Sequence, residues 1–241
     1  MVQQLSPPTI EDPLLYPDSD GKPLADNTTQ LRLIFTIKGG LDALFKDRDD
    51  VFIAADLLWY PKPLTQAEIR SEKKPKVQAP DVMVVFGRPK GERGSYRQWQ
   101  EGNIAPQVAF EILSPRNSQE EMQKKFDFFQ ANGIEEYYLY DPKKNRLQGW
   151  LRRGDTLSAI AVMEDWLSPR LGIRFNTIEG ELVLFYPDGD RFVDYVEVIE
   201  QRDRERQEKE QTQAALAQEK KKTQQLRDRL LALGVDPETL L

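Results

Sequence analysis

Two short runs constrain this chain more than anything else in it. Asp81–Phe86 reads DVMVVF and Val108–Leu113 reads VAFEIL. Side chains alternate between the two faces of a strand, so runs this uniformly apolar leave no face for water. Strands of this kind need cover on both sides. Each run also carries one carboxylate, Asp81 at the start of the first and Glu111 inside the second. A charge inside a buried strand costs several kcal/mol, roughly the desolvation of an ion, unless it is paired or bound to a metal.

The segments around these runs read as helices, strands and turns. Residues 1–24 are rich in Pro and Asp and form an irregular lead-in. Leu31, Ile34, Phe35, Ile37, Leu41 and Leu44 recur at helical spacing behind Asn27-Thr28, a helix start, and the helix should end near Lys46. Gly39-Gly40 interrupts its pattern. Val51–Tyr60 (VFIAADLLWY) reads as one strand closed by Pro61 and Pro63, followed by a polar, basic stretch to Gln78. Residues 87–103 form a Gly-rich loop. Ser118 and Glu121 have the spacing of a capping box. They open a helix to Asn132, with Gly133 as its left-handed stop. Glu136–Tyr140 is a further strand, and short apolar runs from Arg146 to Phe192 read as hairpins.

Composition removes whole classes of chemistry. The chain has 241 residues, no Cys and no His. Disulfides, thiol nucleophiles, His-based triads and His- or Cys-liganded zinc are all excluded. Chemistry must rest on Asp, Glu, Lys, Ser or Tyr, and a carboxylate-only metal site prefers a hard cation such as Mg²⁺ or Mn²⁺. The 39% apolar content suffices for a core. No apolar run is long enough to span a membrane and no secretory signal is visible, so a cytoplasmic location is expected.

Glu111 shares its face with Ala109 and Leu113, opposite Val108, Phe110 and Ile112. With Asp81 on a neighbouring strand, the two carboxylates have the makings of a shared site for one cation that activates water. The plain alternative is an Asp at a strand start and a Glu paired with a helix Lys.

The ordered series Ala79-Pro80-Asp81-Val82, Phe110-Glu111-Ile112-Leu113-Ser114-Pro115, Lys125, Gly133-Ile134-Glu135-Glu136-Tyr137-Tyr138 and Asp141-Pro142 resembles the Uma-two family of putative restriction endonucleases. That family belongs to the PD-(D/E)XK nuclease-like superfamily. The resemblance covers about residues 15–195. It implies an α/β fold, a restriction-endonuclease-like αβββαβ core with a mixed central sheet, and a metal site at Asp81 and Glu111. Leu113 stands where the superfamily pattern has a catalytic Lys, and the resemblance implies that a Lys on the next helix replaces it. At about 100° per residue, Lys125 lies beside the Met122/Phe126/Phe129 stripe, whereas Lys124 points away. Asp26 and Gln30 occupy the places where the family carries an acid and often a His. Asp26 is a secondary ligand candidate, and Asp56, an acid within VFIAADLLWY, is another.

Arg88, Lys90, Arg93 and Arg97 in the loop, interleaved with Tyr96 and Trp99, are candidate nucleic-acid contacts, since cations neutralise phosphates and aromatics stack on bases. An ordinary solvated loop is the alternative. From Glu200 to Arg229 the chain is rich in Gln, Glu, Lys, Arg and Ala without Gly or Pro, a solvated helix. A heptad through Leu216, Thr223, Leu226, Leu230 and Leu233 gives an apolar seam only in its last part.

The expected organisation is a lead-in (1–24), a restriction-endonuclease-like domain with added hairpins (25–195) and a helical, coiled-coil-like tail (196–241). The expected function is Mg- or Mn-dependent endonuclease action on nucleic acid, DNA first. Asp81 and Glu111 bind metal, Lys125 assists water attack, and the tail offers a route to homo-oligomers. The competing expectation is a weakly catalytic nuclease-fold module that binds or assembles through its terminal helix. An aspartic-type hydrolase is disfavoured because neither acid lies in an Asp-Thr-Gly-like loop.

Overall fold

A computed structural model describes residues 13–233. Residues 1–12 of the expected lead-in and 234–241 of the tail lie outside the described residues. The chain divides into two compact units, with the break between Phe192 and Val193.

In the first unit the elements are α1 (Thr28–Leu44), β1 (Val51–Ala55), β2 (Trp59–Tyr60), α2 (Gln66–Arg70), β3 (Val82–Phe86), β4 (Tyr96–Arg97), β5 (Val108–Ile112), α3 (Gln119–Ala131), β6 (Glu136–Asp141), β7 (Arg146–Arg153), β8 (Thr156–Ala159), β9 (Trp166–Leu167), β10 (Arg174–Ile178) and β11 (Glu181–Phe185). Six strands form a sheet in the order β1-β3-β5-β6-β7-β8. Only β5 and β6 run parallel, so the sheet is mixed. Taken along the chain, α1, β1, β3, β5, α3 and β6 give the αβββαβ core. β9–β11 form a separate antiparallel sheet, and β2 pairs with β4 in a two-stranded one.

Alternation in the strands divides the core. Ile53, Val82, Val84, Val108, Phe110 and Ile112 face α1, which buries Leu33, Ile34, Ile37 and Leu41 against them. Phe52, Ala54, Met83, Val85, Ala109 and Tyr137 face the other way, against Phe129 of α3. Glu111 has the parity of Ala109 and so belongs to the α3 side. α1 starts at Asn27, whose side chain accepts from the Gln30 N–H. It ends at Leu44, close to the expected Lys46. The Gly pair does not break it. Gly40 lies under Phe192, whose ring a Cβ at that position would overlap.

Three local expectations are corrected. VFIAADLLWY is two strands, because Asp56 adopts a left-handed φ of 49° and turns the chain out of the main sheet. Its N–H donates to the Pro80 and Asp81 carbonyls instead. The polar stretch to Gln78 contains α2, opened by a complete capping box of Thr65 and Glu68. At α3 only half of the expected box forms: the Ser118 hydroxyl accepts from the Glu121 N–H. Gly133, at φ +95°, ends the turn after α3.

Glu136 ties β6 to the β9–β11 region. One carboxylate oxygen accepts from Ser168 and Tyr138 hydroxyls, the other from the Arg170 N–H at 2.7 Å. The second unit contains α4 (Tyr195–Ala232), about 57 Å long at ~1.5 Å per residue. Asp194 caps it by accepting from the Val196 and Glu197 N–H groups, and none of its residues is buried. Among the described residues no helix is long and apolar enough to cross a membrane.

Candidate active site

Neighbouring strands bring the two acids together. β3 and β5 are antiparallel with Val82 opposite Phe110. Continuing that register by one residue sets Asp81 opposite Glu111. Asp81 is buried, and its Oδ2 accepts from the Ile112 N–H at 2.6 Å. Gln30 of α1 donates to the Ile112 carbonyl at 3.0 Å and accepts from the Asp26 N–H at 2.9 Å. The start of α1 is thereby clamped to the end of β5.

Glu111 is only 4% exposed. Its Oε2 accepts from the Lys125 ammonium at 2.7 Å, and that ammonium lies 3.4 Å from the Ala79 carbonyl. Lys125 arrives on the side of α3 that packs on the sheet, while Lys124 points to solvent and pairs with Glu120 at 2.6 Å. Glu111 Oε1 is buried and has no hydrogen-bond partner among the described residues.

Burial dominates the electrostatics here. It pushes the Glu111 carboxyl up to about 8; Lys125 opposes the rise and Asp81 adds to it. Burial also raises Asp81, against the pull of Lys125 and the Ile112 N–H. For Lys125, burial works against the ammonium, but Glu111 and Asp81 outweigh it and hold the proton on more tightly than usual. The Tyr137 hydroxyl is likewise buried without a partner, pushed up by burial and then by the Glu111 and Asp81 charges.

The secondary acids are placed differently. Asp26 accepts from the Ser114 hydroxyl at 2.6 Å and from Arg116 at 3.2 Å, so each of its oxygens already has a partner. It holds the segment after β5. Asp56 borders the acids from the exposed turn after β1. Its crowded carboxyl is pushed up to about 6, by partial burial first, then by Asp20 and Asp81. Among the described residues no group of three or more Asp, Glu, His or Cys is arranged to hold a metal.

The loop cations are committed internally. Glu101 accepts from Arg88 at 2.8 Å and from Arg93 at 2.6 Å. The Arg93 guanidinium also sits 3.9 Å above the Phe52 ring. Lys90 donates to the Phe45 and Lys46 carbonyls at the end of α1. Arg97 donates to the Tyr16 carbonyl at 2.9 Å. Tyr96 is fully buried and Trp99 packs on Tyr16. To meet a phosphate, each of these cations has to leave a partner.

Residue patterning did not single out Gln30's clamp, Ser114's bond to Asp26 or the Tyr137 hydroxyl. For Tyr137 a signal existed: it stands opposite Ala109 in the β5–β6 register and so shares a face with Glu111.

The fold is an αβββαβ core that carries paired acids and a helix lysine on one face of its sheet. The chain belongs to the Uma2 family: the model of that family, described as "Putative restriction endonuclease", matches residues 27–179, more than half of the chain. A crystal structure of a "putative nuclease belonging to DUF820" from Anabaena variabilis ATCC 29413 is similar, at 19% identity and a TM-score of 0.44. The match covers 68% of this chain and 89% of that one. A search of the curated proteins gives no match.

Proposed function

We propose that this protein is a divalent-metal-dependent endonuclease acting on DNA, with Asp81 and Glu111 as metal ligands and Lys125 as the residue that assists water attack. Membership of the Uma2 family supports the nuclease class. The observation that carries the finer reading is Glu111 Oε1. A salt bridge serving the fold alone gains nothing from a buried oxygen left without a partner, which costs ~1–3 kcal/mol. A cation ligand, by contrast, needs a free oxygen.

The donor set fits a hard cation. Mg²⁺ keeps several waters and is held through one or two carboxylates, so a pair of acids suffices where three are not found. Such a cation, when bound, polarises a phosphoryl oxygen and lowers the pKa of water. The chain's own residues do the rest. Burial of Asp81 and Glu111 makes their carboxylates poorly solvated and ready to exchange a proton for a cation. Lys125, kept protonated by the Glu111 and Asp81 charges, is a fixed positive charge beside the place where phosphate charge grows, and a preorganised charge of this kind needs no rearrangement during reaction. Gln30 and the Ile112 N–H hold Asp81 and the end of β5 in position.

Nicking of supercoiled plasmid in Mg²⁺ or Mn²⁺ tests the reading. Wild type should cut, and Asp81→Asn and Glu111→Gln should not. Equal cutting by all three overturns it, as does no cutting by wild type, with either metal, of the plasmid or of single-stranded DNA.

A further inference from the structure

A second feature lies beside the acids. A cleft of about 940 Å³ opens between the segment after β5, the first turns of α3 and the β6–β7 hairpin. Its wall includes Leu113, Met122, Phe126, Tyr137 and Trp150, and its rim carries Lys143, Lys144 and Arg146. The cleft and the acids are neighbours. Leu113 lies two residues beyond Glu111, Met122 and Phe126 flank Lys125 on α3, and Tyr137 feels the Glu111 and Asp81 charges.

The wall is aromatic and flat. Tyr137 and Trp150 are stacked, with ring centroids 5.1 Å apart and planes 19° apart, and Phe126 meets Trp150 edge-on at 5.5 Å. Trp150 is half-buried, so part of its ring remains open to the cleft. The rim is cationic in a chain whose net charge is −6. Lys143 and Arg146 are exposed and make no ion pair among the described residues; Lys144 lies 3.9 Å from Asp141. This is the reverse of residues 87–103, where the cations are consumed by internal partners.

An aromatic wall with unpaired cations at its edge matches an unpaired nucleotide: a base on the rings and phosphates at the rim. The volume lies within the range of small-ligand sites and gives a base room to enter. A duplex hides the faces of its bases in the stack and cannot use the wall. We infer that this cleft holds a single-stranded DNA segment next to the scissile phosphate, one base against Trp150 and its phosphates against Lys143 and Arg146. The inference rests on the nuclease reading and adds the strand state of the substrate.

The test is binding of a fluorescent eight-residue oligothymidylate to the full chain in EDTA, read by anisotropy and by tryptophan quenching. Lys124→Met, whose side chain pairs with Glu120 at the surface and does not line the cleft, should bind like wild type. Trp150→Ala should weaken binding about 5- to 100-fold, the loss of one base stack, and Trp150→Phe should restore most of it. Lys143→Glu with Arg146→Glu, surface changes that leave the fold intact, should weaken binding at least about 10-fold and reduce its salt dependence, as lost phosphate contacts do. No binding by wild type, unchanged binding by the charge-reversed variant, or equal affinity for a duplex of the same length through the same residues overturns the inference. Failure of the nuclease reading looks different: the oligonucleotide binds through these residues, but no metal supports cleavage.

Discussion

Replacing Glu111 by Gln in metal-free protein should flatten the dependence of stability on pH between 5 and 8. A carboxyl whose folded-state pKa is raised favours the fold fully below its unfolded value, near 4.5, and loses that advantage as pH rises toward the folded value. For Glu111 the folded value is about 8. At ~1.4 kcal/mol per unit, the window of three to four units sets a ceiling of roughly 5 kcal/mol. That is a large part of the 5–15 kcal/mol typical of a whole domain. Asp81 and Glu136 are raised by burial as well and Asp56 reaches about 6, so their contributions in this window have the same sign. The chain has no His, so no imidazole titrates there. Urea unfolding in EDTA at pH 5, 6, 7 and 8 should show wild type losing stability steadily and Glu111→Gln losing distinctly less. Saturating Mg²⁺ should reduce the wild-type slope, because a cation favours the ionised pair. A wild-type profile that is flat or rises from pH 5 to 8 in EDTA refutes the reasoning, as does an unchanged slope in Glu111→Gln.

Other outcomes follow from single contacts. Lys125→Met should lower the cleavage rate about 10²- to 10³-fold, the scale of losing one electrostatic stabiliser, whereas Lys124→Met, which loses only a surface pair with Glu120, should cut like wild type. Gly40→Ala should destabilise by ~1–3 kcal/mol through overpacking against Phe192, while Gly39→Ala, with open space at its Cβ position, should stabilise by up to ~1 kcal/mol; chemical denaturation of the two variants decides. Truncation after Phe192 should leave the first unit folded by circular dichroism, because α4 buries none of its residues. The full chain should self-associate in sedimentation through the exposed Leu226 and Leu233, and Leu226→Glu should return it to the state of the truncated form.

The central layers were legible in the sequence because two-sided burial leaves so plain a mark. DVMVVF and VAFEIL could only be interior strands, and alternation alone placed Glu111 opposite Phe110 and Ile112. The Met122/Phe126/Phe129 stripe likewise separated Lys125 from Lys124. Interactions distant in sequence left no such mark. Nothing near Asp56 signals a left-handed residue, since Asp is only mildly tolerant of that conformation and the Pro80 and Asp81 carbonyls that hold it there come from another strand. The loop cations show the same limit. Arg88, Lys90, Arg93 and Arg97 look alike as a cluster, yet Glu101, the end of α1 and Tyr16 each claim some of them. Lys143 and Arg146, inconspicuous beside the Asp141-Pro142 turn, make no ion pair among the described residues and stand at the rim of a cleft assembled from three separate segments.

The most direct measurement of the central claim is Mn²⁺ titration followed by electron paramagnetic resonance, in which free and bound ions differ and no activity is needed. Wild type should take up Mn²⁺ at a site that Mg²⁺ displaces, Asp81→Asn and Glu111→Gln should each lose it, and Lys125→Met should keep it, since an ammonium is not a ligand. Wild-type protein that leaves Mn²⁺ free at millimolar concentration, or binding that survives both carboxylate substitutions, contradicts the claim that Asp81 and Glu111 hold the metal.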